Sequence, residues 1–174
     1  MMTRLRTYIM HVEDLPGVLN RVTSLFRRRG YNIDSLTVGR TEASGVSRMT
    51  IVMEADDDAA RRVEANLYKL VNVLEVHDTT NRPCVTRELA LIKVKADPTS
   101  RAHVLQLAEV FRARVIDVGP EALIFEITGA RDKIDGLAGV LASYGIVEMV
   151  RTGTVAMLRS ADVVEQEQPR TSAA

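Results

Sequence analysis

The sequence predicts an α+β chain built from two ferredoxin-like βαββαβ domains. Three observations carry that expectation. Strand-like runs and two amphipathic stretches follow one another between residues 6 and 76 in the order β-α-β-β-α-β, the split βαβ arrangement. At 78–84 the composition turns polar and proline-containing (DTTNRPC). The same order then recurs from 87 to 158. The expected division is therefore a first domain over 1–78, a linker over 79–85, a second domain over 86–159 and a tail over 160–174. That tail has little to bury and is expected to be disordered.

In the first repeat, RTYIMHV at 6–12 is a strand. Pro16 presets the turn after it, and Gly17 lets the backbone approach a ligand or neighbour where a side chain would intrude. Val18, Leu19, Val22, Leu25 and Phe26 then recur at helical spacing and are expected to be buried. Arg27, Arg28 and Arg29 favour the negative helix end, and Gly30 supplies a left-handed stop. Asn32 opens the second strand, which runs to about Arg40, and a polar loop at 41–45 leads into a third strand, SRMTIVMEA, at 47–55. Asp56, Asp57 and Asp58 place acidic groups where a helix dipole favours them. Val63, Leu67 and Leu70 are the apolar face of that second helix, and 71–76 is the fourth strand.

The second repeat begins with RELALIKVKA at 87–96. Pro98, Thr99 and Ser100 mark a helix start, and Val104, Leu105, Ala108 and Phe111 form its apolar stripe. Strands at 114–118 and 122–128 turn at Gly119 and Pro120. Ile134, Leu137, Ala138 and Leu141 define a fourth helix, and 146–158 is a final strand interrupted at Gly153. This copy lacks Pro-Gly at its helix entry, and ARVID at 113–117 replaces the longer RGYNID. Both copies are expected to fold alike, with only the first able to hold a ligand.

Composition narrows the function classes. Hydrophobic residues make up 46% of the 174, but aromatics only 4% and Trp is absent, so the core rests on Val, Leu, Ile and Ala. The methionines of the first half are expected as core filler. Lys plus Arg balances Asp plus Glu at 23 each, which gives no reason to expect nucleic acid or a membrane as partner. Arg27 to Arg29 read as a solvated helix end rather than a phosphate site. The single cysteine, Cys84, excludes an internal disulfide and fits a reducing compartment. No signal peptide and no apolar run of ~20 residues is evident, so a cytoplasmic protein is expected. His11, His77 and His103 lack metal-ligand spacing, and no local nucleophile–base pair or phosphate loop is present.

The candidate site lies around the first helix entry. A helix N-terminus bare at Gly17 offers backbone N–H groups to a carboxylate, while Asp14 can accept from an ammonium. A βαβ unit is expected to bring Asn32 nearby. Taken singly, each residue has a plain reading: a Pro-Gly helix-entry turn, a solvated or capping carboxylate, and an Asn tolerating unusual backbone angles after Gly30. Together they answer both halves of an amino-acid zwitterion, without naming it.

Several joined stretches carry a resemblance: EDLPGVLNRV (13–22), LFRRRGYNIDSLTVG (25–39), SRMTI (47–51), KLVNVLEV (69–76), RELALIKVKA (87–96) and IDV (116–118). Over roughly 5–158 the chain resembles the small regulatory subunits of acetolactate synthase. The DxPGVL element alone marks the broader ACT-domain class of amino-acid-sensing modules. The resemblance implies that the first domain is an ACT domain, paired edge to edge with that of a second copy so that an exposed strand is covered. It implies a pocket for valine, or another branched-chain amino acid, between the first helix's N-terminus and the partner's second strand. Carried over residue by residue, that pocket is Asp14, Gly17, Val18, Leu19, Asn32 and Ile33. The N–H groups of Gly17 to Leu19 would hold the carboxylate, Asp14 would face the ammonium, Asn32 would bridge, and Ile33 would touch the branched side chain. Many members have Asn in place of Asp14 and Ser or Ala in place of Asn20, departures that bear on the pocket's polarity. The implied partner is the large catalytic subunit of branched-chain amino-acid biosynthesis, which holds thiamine diphosphate, magnesium and FAD. This chain would bind none of these cofactors and would act as a non-catalytic activator that transmits feedback inhibition. Two other classes are open on the residues: an amino-acid-responsive transcriptional regulator, which a helix-turn-helix segment would favour, and a small independent enzyme, which an acid–base constellation would favour. Neither feature is legible.

Overall fold

Alternation along RLRTYIMHVE sends Tyr8, Met10 and Val12 to one face of β1 (Arg4–Glu13), where all three are fully buried. The computed structural model describes residues 3–160, so the stretch 161–174 of the expected tail lies outside the described residues. The chain divides into two compact units, 3–85 with 156–160, and 86–155.

In the first unit, β1 is flanked by β3 (Val46–Ala55) and β4 (Val73–Asp78), and β2 (Ser35–Arg40) pairs outside β3. All pairings are antiparallel and the order is β2-β3-β1-β4. Tyr8 stands opposite Ile51 and Met10 opposite Met49, so one sheet face is continuously apolar. Helices α1 (Val18–Arg28) and α2 (Asp57–Leu67) cover it with Val18, Val22, Leu25, Phe26, Val63 and Leu67. Met10, Met49 and Met53 sit in that core as the unbranched filler the composition suggested.

Local chemistry sets the helix ends. Asp56 caps α2 by accepting from the Ala59 N–H at 2.7 Å. At the end of α1, Gly30 (φ 69°) donates to Arg27 O and Tyr31 donates to Phe26 O, the two bonds of a Schellman stop. The Tyr31 ring then packs edge-on against Phe26, with centroids 6.4 Å apart. Tyr31 is thus tied to the helix layer, and the chain must cross to the sheet before it pairs. For that reason β2 starts at Ser35 and not at Asn32. Leu19 also departs from expectation: it is 42% exposed, at the edge of the buried stripe of 18, 22, 25 and 26 and in the first helical turn, beside the open space at Gly17.

The second unit repeats the order. Strand β5 (Cys84–Lys95) begins three residues ahead of the expected 87, and is followed by α3 (Arg101–Val110), β6 (Arg114–Val118), β7 (Ala122–Gly129) and α4 (Arg131–Leu141). The final strand expected at 146–158 is split into β8 (Ile146–Arg151) and β9 (Val155–Leu158), with Gly153 at φ 82° in the break, and all of β9 but Val155 belongs to the first unit. The sheet order is β6-β7-β5-β8, with β9 also on β5, and Val104, Ala108, Phe125, Ile127, Ile134 and Leu137 fill its core.

The exit of α3 copies the α1 stop with the wrong residue. Arg112 donates to Glu109 O and Ala113 to Ala108 O, and Arg112 carries φ 54°, the one non-glycine at positive φ among the described residues. An L side chain there costs about 1 kcal/mol relative to glycine. Arg112→Gly is therefore expected to stabilise the protein by about 0.5–1 kcal/mol, read as a raised urea midpoint. A lowered midpoint would show that the Arg112 side chain contributes more than its backbone costs.

Candidate functional site

Strand β1 ends at Glu13 and α1 starts at Val18, so four residues must reverse the chain. Gly17 is the N-cap, with φ 87° and no side-chain cap on the helix. A Cβ built there meets no heavy atom within 4 Å, so the space before the helix entry is open. The first-turn N–H groups stand at the positive end of the helix dipole, that of Val18 bonding weakly back to Leu15 O at 3.4 Å.

Asp14 is held at three points by the β2–β3 hairpin. Its N–H donates to Gly45 O at 2.8 Å. Its Oδ1 accepts from Ser47 Oγ at 3.1 Å, and its Oδ2 pairs with Arg40 Nε at 3.2 Å. Ser47 is buried, whereas the Arg40 side chain is 87% exposed. Val18 is buried under the helix, and Leu19 projects outward beside Gly17.

Asn32 and Ile33 lie elsewhere. Arg40, at the end of β2, is the residue opposite Ser47 and touching Asp14, while Ser35, at the start of β2, is opposite Val52. Five residues of strand separate those ends by about 17 Å, comparable with the ~16 Å length of an 11-residue helix. Within one protomer the fold therefore does not bring Asn32 to Gly17, contrary to the expectation that a βαβ unit would. Asn32 is exposed there, and Ile33 is half-buried against the core. Sequence reasoning also missed Arg40, Ser47 and Gly45. The available signal was the hairpin itself: pairing a strand that ends at Arg40 with one that starts near Val46 through a short loop places 40 opposite 47.

The second unit shows what the same turn does with other residues. Asp97 stands four residues before α3, as Asp14 does before α1. Its Oδ1 accepts from the amides of Thr99 and Ser100 at 2.9 and 2.8 Å and from their hydroxyls at 2.7 and 2.8 Å. Those hydrogen bonds, the Thr99 hydroxyl foremost, hold its carboxyl down at about 2. Arg101, at the place of Val18, donates to Ala96 O and Gly119 O at 3.1 and 2.8 Å. An open hollow of about 490 Å³ remains there, lined by Lys95, Asp97, Ser100, Glu121 and Tyr144. Its acid and its helix-entry amides are already bonded to one another.

Among the described residues no group of three or more His, Cys, Asp and Glu side chains could hold a metal ion, and no helix is long and apolar enough to cross a membrane.

Comparison with known proteins follows the division into repeats. Residues 9–75 match the family model for the AHAS small subunit-like ACT domain, and residues 87–160 match that for the small subunit of acetolactate synthase. The chain is 48% identical over 153 residues to a probable acetolactate synthase small subunit of Archaeoglobus fulgidus, covering 88% of this chain and 96% of that one. It is 47% identical over 159 residues to the acetolactate synthase small subunit of Mycobacterium bovis, covering 91% and 95%. The crystal structure of the acetolactate synthase small subunit from Thermotoga maritima superposes with a TM-score of 0.82 at 43% identity, covering 90% of this chain and 98% of that one. An ACT-type first repeat, a ferredoxin-like second and these matches along nearly the whole length together place this chain in the acetolactate synthase small-subunit family.

Proposed function

We propose that this chain is a non-catalytic regulatory subunit that binds the large catalytic subunit of acetolactate synthase, activates it, and lowers its activity when a branched-chain amino acid, valine first, is bound. The observation that supports the reading is the position of the two residue groups at opposite ends of β2, an edge strand of its sheet. Asp14, Gly17, Val18 and Leu19 lie at the end of β2, and Asn32 and Ile33 precede its start. Strand β2 is at the edge of its sheet, and Val38 on it is exposed. Antiparallel pairing of β2 with the β2 of a second copy covers that edge and brings each start against the partner's end. A homodimer built this way has two pockets, each taking its helix entry from one protomer and its Asn32 and Ile33 from the other.

In such a pocket the first-turn amides meet the ligand carboxylate, Asp14 meets the ammonium, and Ile33 meets the branched side chain. A ligand held by both protomers favours whichever dimer arrangement it fits better, which is how occupancy reaches the large subunit. Thiamine diphosphate, magnesium and FAD belong in this reading to the large subunit and not to this chain. The test is acetolactate formation by the large subunit alone, with this chain, and with this chain plus valine. The expected pattern is a faster rate on mixing and a valine-dependent fall. An unchanged rate on mixing, or turnover by this chain by itself, overturns the proposal.

A further inference from the structure

Both oxygens of the Asp14 carboxylate are engaged by side chains of the same protomer, and the two partners differ in exposure. Ser47 Oγ, on Oδ1, belongs to a buried residue inside β3, 6% exposed and flanked by ladder hydrogen bonds. Arg40 Nε, on Oδ2, is carried by a long side chain that is 87% exposed at the hairpin end of an edge strand. The backbone of residue 14 is tied to Gly45 O, and the Ser47 hydroxyl orients the carboxylate above it. A second cation approaching Oδ2 therefore shares that oxygen with the Arg40 guanidinium and competes with it electrostatically.

We infer that Arg40 is a displaceable counter-ion that latches Asp14, and that the ligand ammonium competes with it for Oδ2. This rests on the reading of the site given above. It adds a residue outside the pocket set that weakens ligand affinity rather than supplying it, so the position sets the concentration at which the site fills. Ser47 has the opposite part: it keeps Oδ1 oriented while Oδ2 changes partner. Because the Arg40–Asp14 pair is largely solvated, its contribution lies within the range of exposed ion pairs, about a two- to five-fold effect on affinity. Salt screens it.

The full-length chain is tested by calorimetric titration with L-valine, comparing wild type, Arg40→Gln and Ser47→Ala, at low salt and at high salt. A second readout needs no ligand: the Arg40 Nε–H resonance of wild type compared with Asp14→Asn. The expected results are a resonance in the empty wild type distinct from that in Asp14→Asn, moved to the Asp14→Asn position by saturating valine. Arg40→Gln binds valine about two- to five-fold tighter at low salt, with the advantage shrinking at high salt, and Ser47→Ala binds more weakly. Coincident resonances in the empty proteins overturn the latch whatever the ligand does. Equal affinity of Arg40→Gln and wild type, or weaker binding by Arg40→Gln, overturns the displacement while leaving the site itself standing. No binding of valine, leucine or isoleucine by any of the proteins, with the latched resonance present, overturns the site reading and the displacement with it.

Discussion

Gly17→Asp is expected to abolish the response to valine while leaving activation of the large subunit in place. Two physical effects combine. The new carboxylate enters the open space that the ligand carboxylate needs, since nothing lies within 4 Å of a Cβ at this position. It also takes the first-turn amides for itself, because a side-chain acceptor at the N-cap is what a helix entry ordinarily binds. Losing two charge-assisted hydrogen bonds at ~1.5 kcal/mol or more each weakens the ligand on the order of 100-fold. The positive φ of 87° is a smaller matter, as Asp tolerates left-handed backbone better than most residues. Gly17→Ala separates the two effects: it carries the backbone strain without the charge and is expected to keep most of the response. Inhibition curves of the reconstituted enzyme check this. Simultaneous loss of activation and of inhibition in a folded Gly17→Asp would show that sensing and activation are not separate surfaces.

The second large effect lies in the other unit and concerns stability. Glu88, on β5, is 5% exposed. Its Oε2 pairs with Arg151 at 3.1 Å to Nε and 2.8 Å to a terminal nitrogen, and its Oε1 accepts from Thr154 Oγ1 at 2.7 Å. Arg151 also reaches Asp135 Oδ1 at 2.6 Å. Truncating Arg151 leaves a buried carboxylate without its cation, a change that costs about 3–5 kcal/mol. The lower end applies because the Arg151 side chain is 27% exposed and water reaches it. Arg151→Ala is therefore expected to lower stability by about 3 kcal/mol in urea unfolding. Removing both charges is the informative comparison. Glu88→Met with Arg151→Met is expected to recover most of that loss, since a buried pair gains little over apolar residues of similar volume. A double variant as unstable as the single one would mean that hydrogen bonding, and not the uncompensated charge, dominates.

How much of this was legible in the sequence depends on whether a feature is local. The βαββαβ order was readable because apolar periodicity switches between strand and helix within each repeat. The α1 exit was readable because Gly30 has one obvious use. The acidic start of α2 was equally plain, and Asp56 is its cap. Leu19 was placed inside because five apolar residues at helical spacing do not reveal where the buried stripe ends. The second unit hid two substitutions of means. Arg112 adopts a left-handed conformation where glycine is the expected residue, and Asp97 rather than Ser100 gathers the helix-entry hydrogen bonds. The first runs against residue preference, while the second is the local habit of Asp to accept from amides two and three residues on, which the Thr99-Ser100 pair masked in the sequence.

For the candidate site the same division holds. Asp14 and Gly17 lie three residues apart, and their common location follows from chain connectivity. Arg40 and Ser47 join them through hairpin register, a non-local consequence of where β2 ends. Asn32 was assigned to the same place by the proximity of a turn to a strand, but the length of α1 separates them within one chain. A pocket needing all of these residues is therefore a statement about two chains.

That statement is open to a complementation measurement. Gly17→Asp and Asn32→Asp homodimers are each expected to bind no valine. A purified heterodimer of the two variants contains one helix entry with an intact Gly17 facing a partner that retains Asn32. Calorimetry on that heterodimer is expected to give one valine per dimer at near wild-type affinity. A heterodimer as silent as its parents would mean that Gly17 and Asn32 serve the same pocket from the same chain, and would contradict the account.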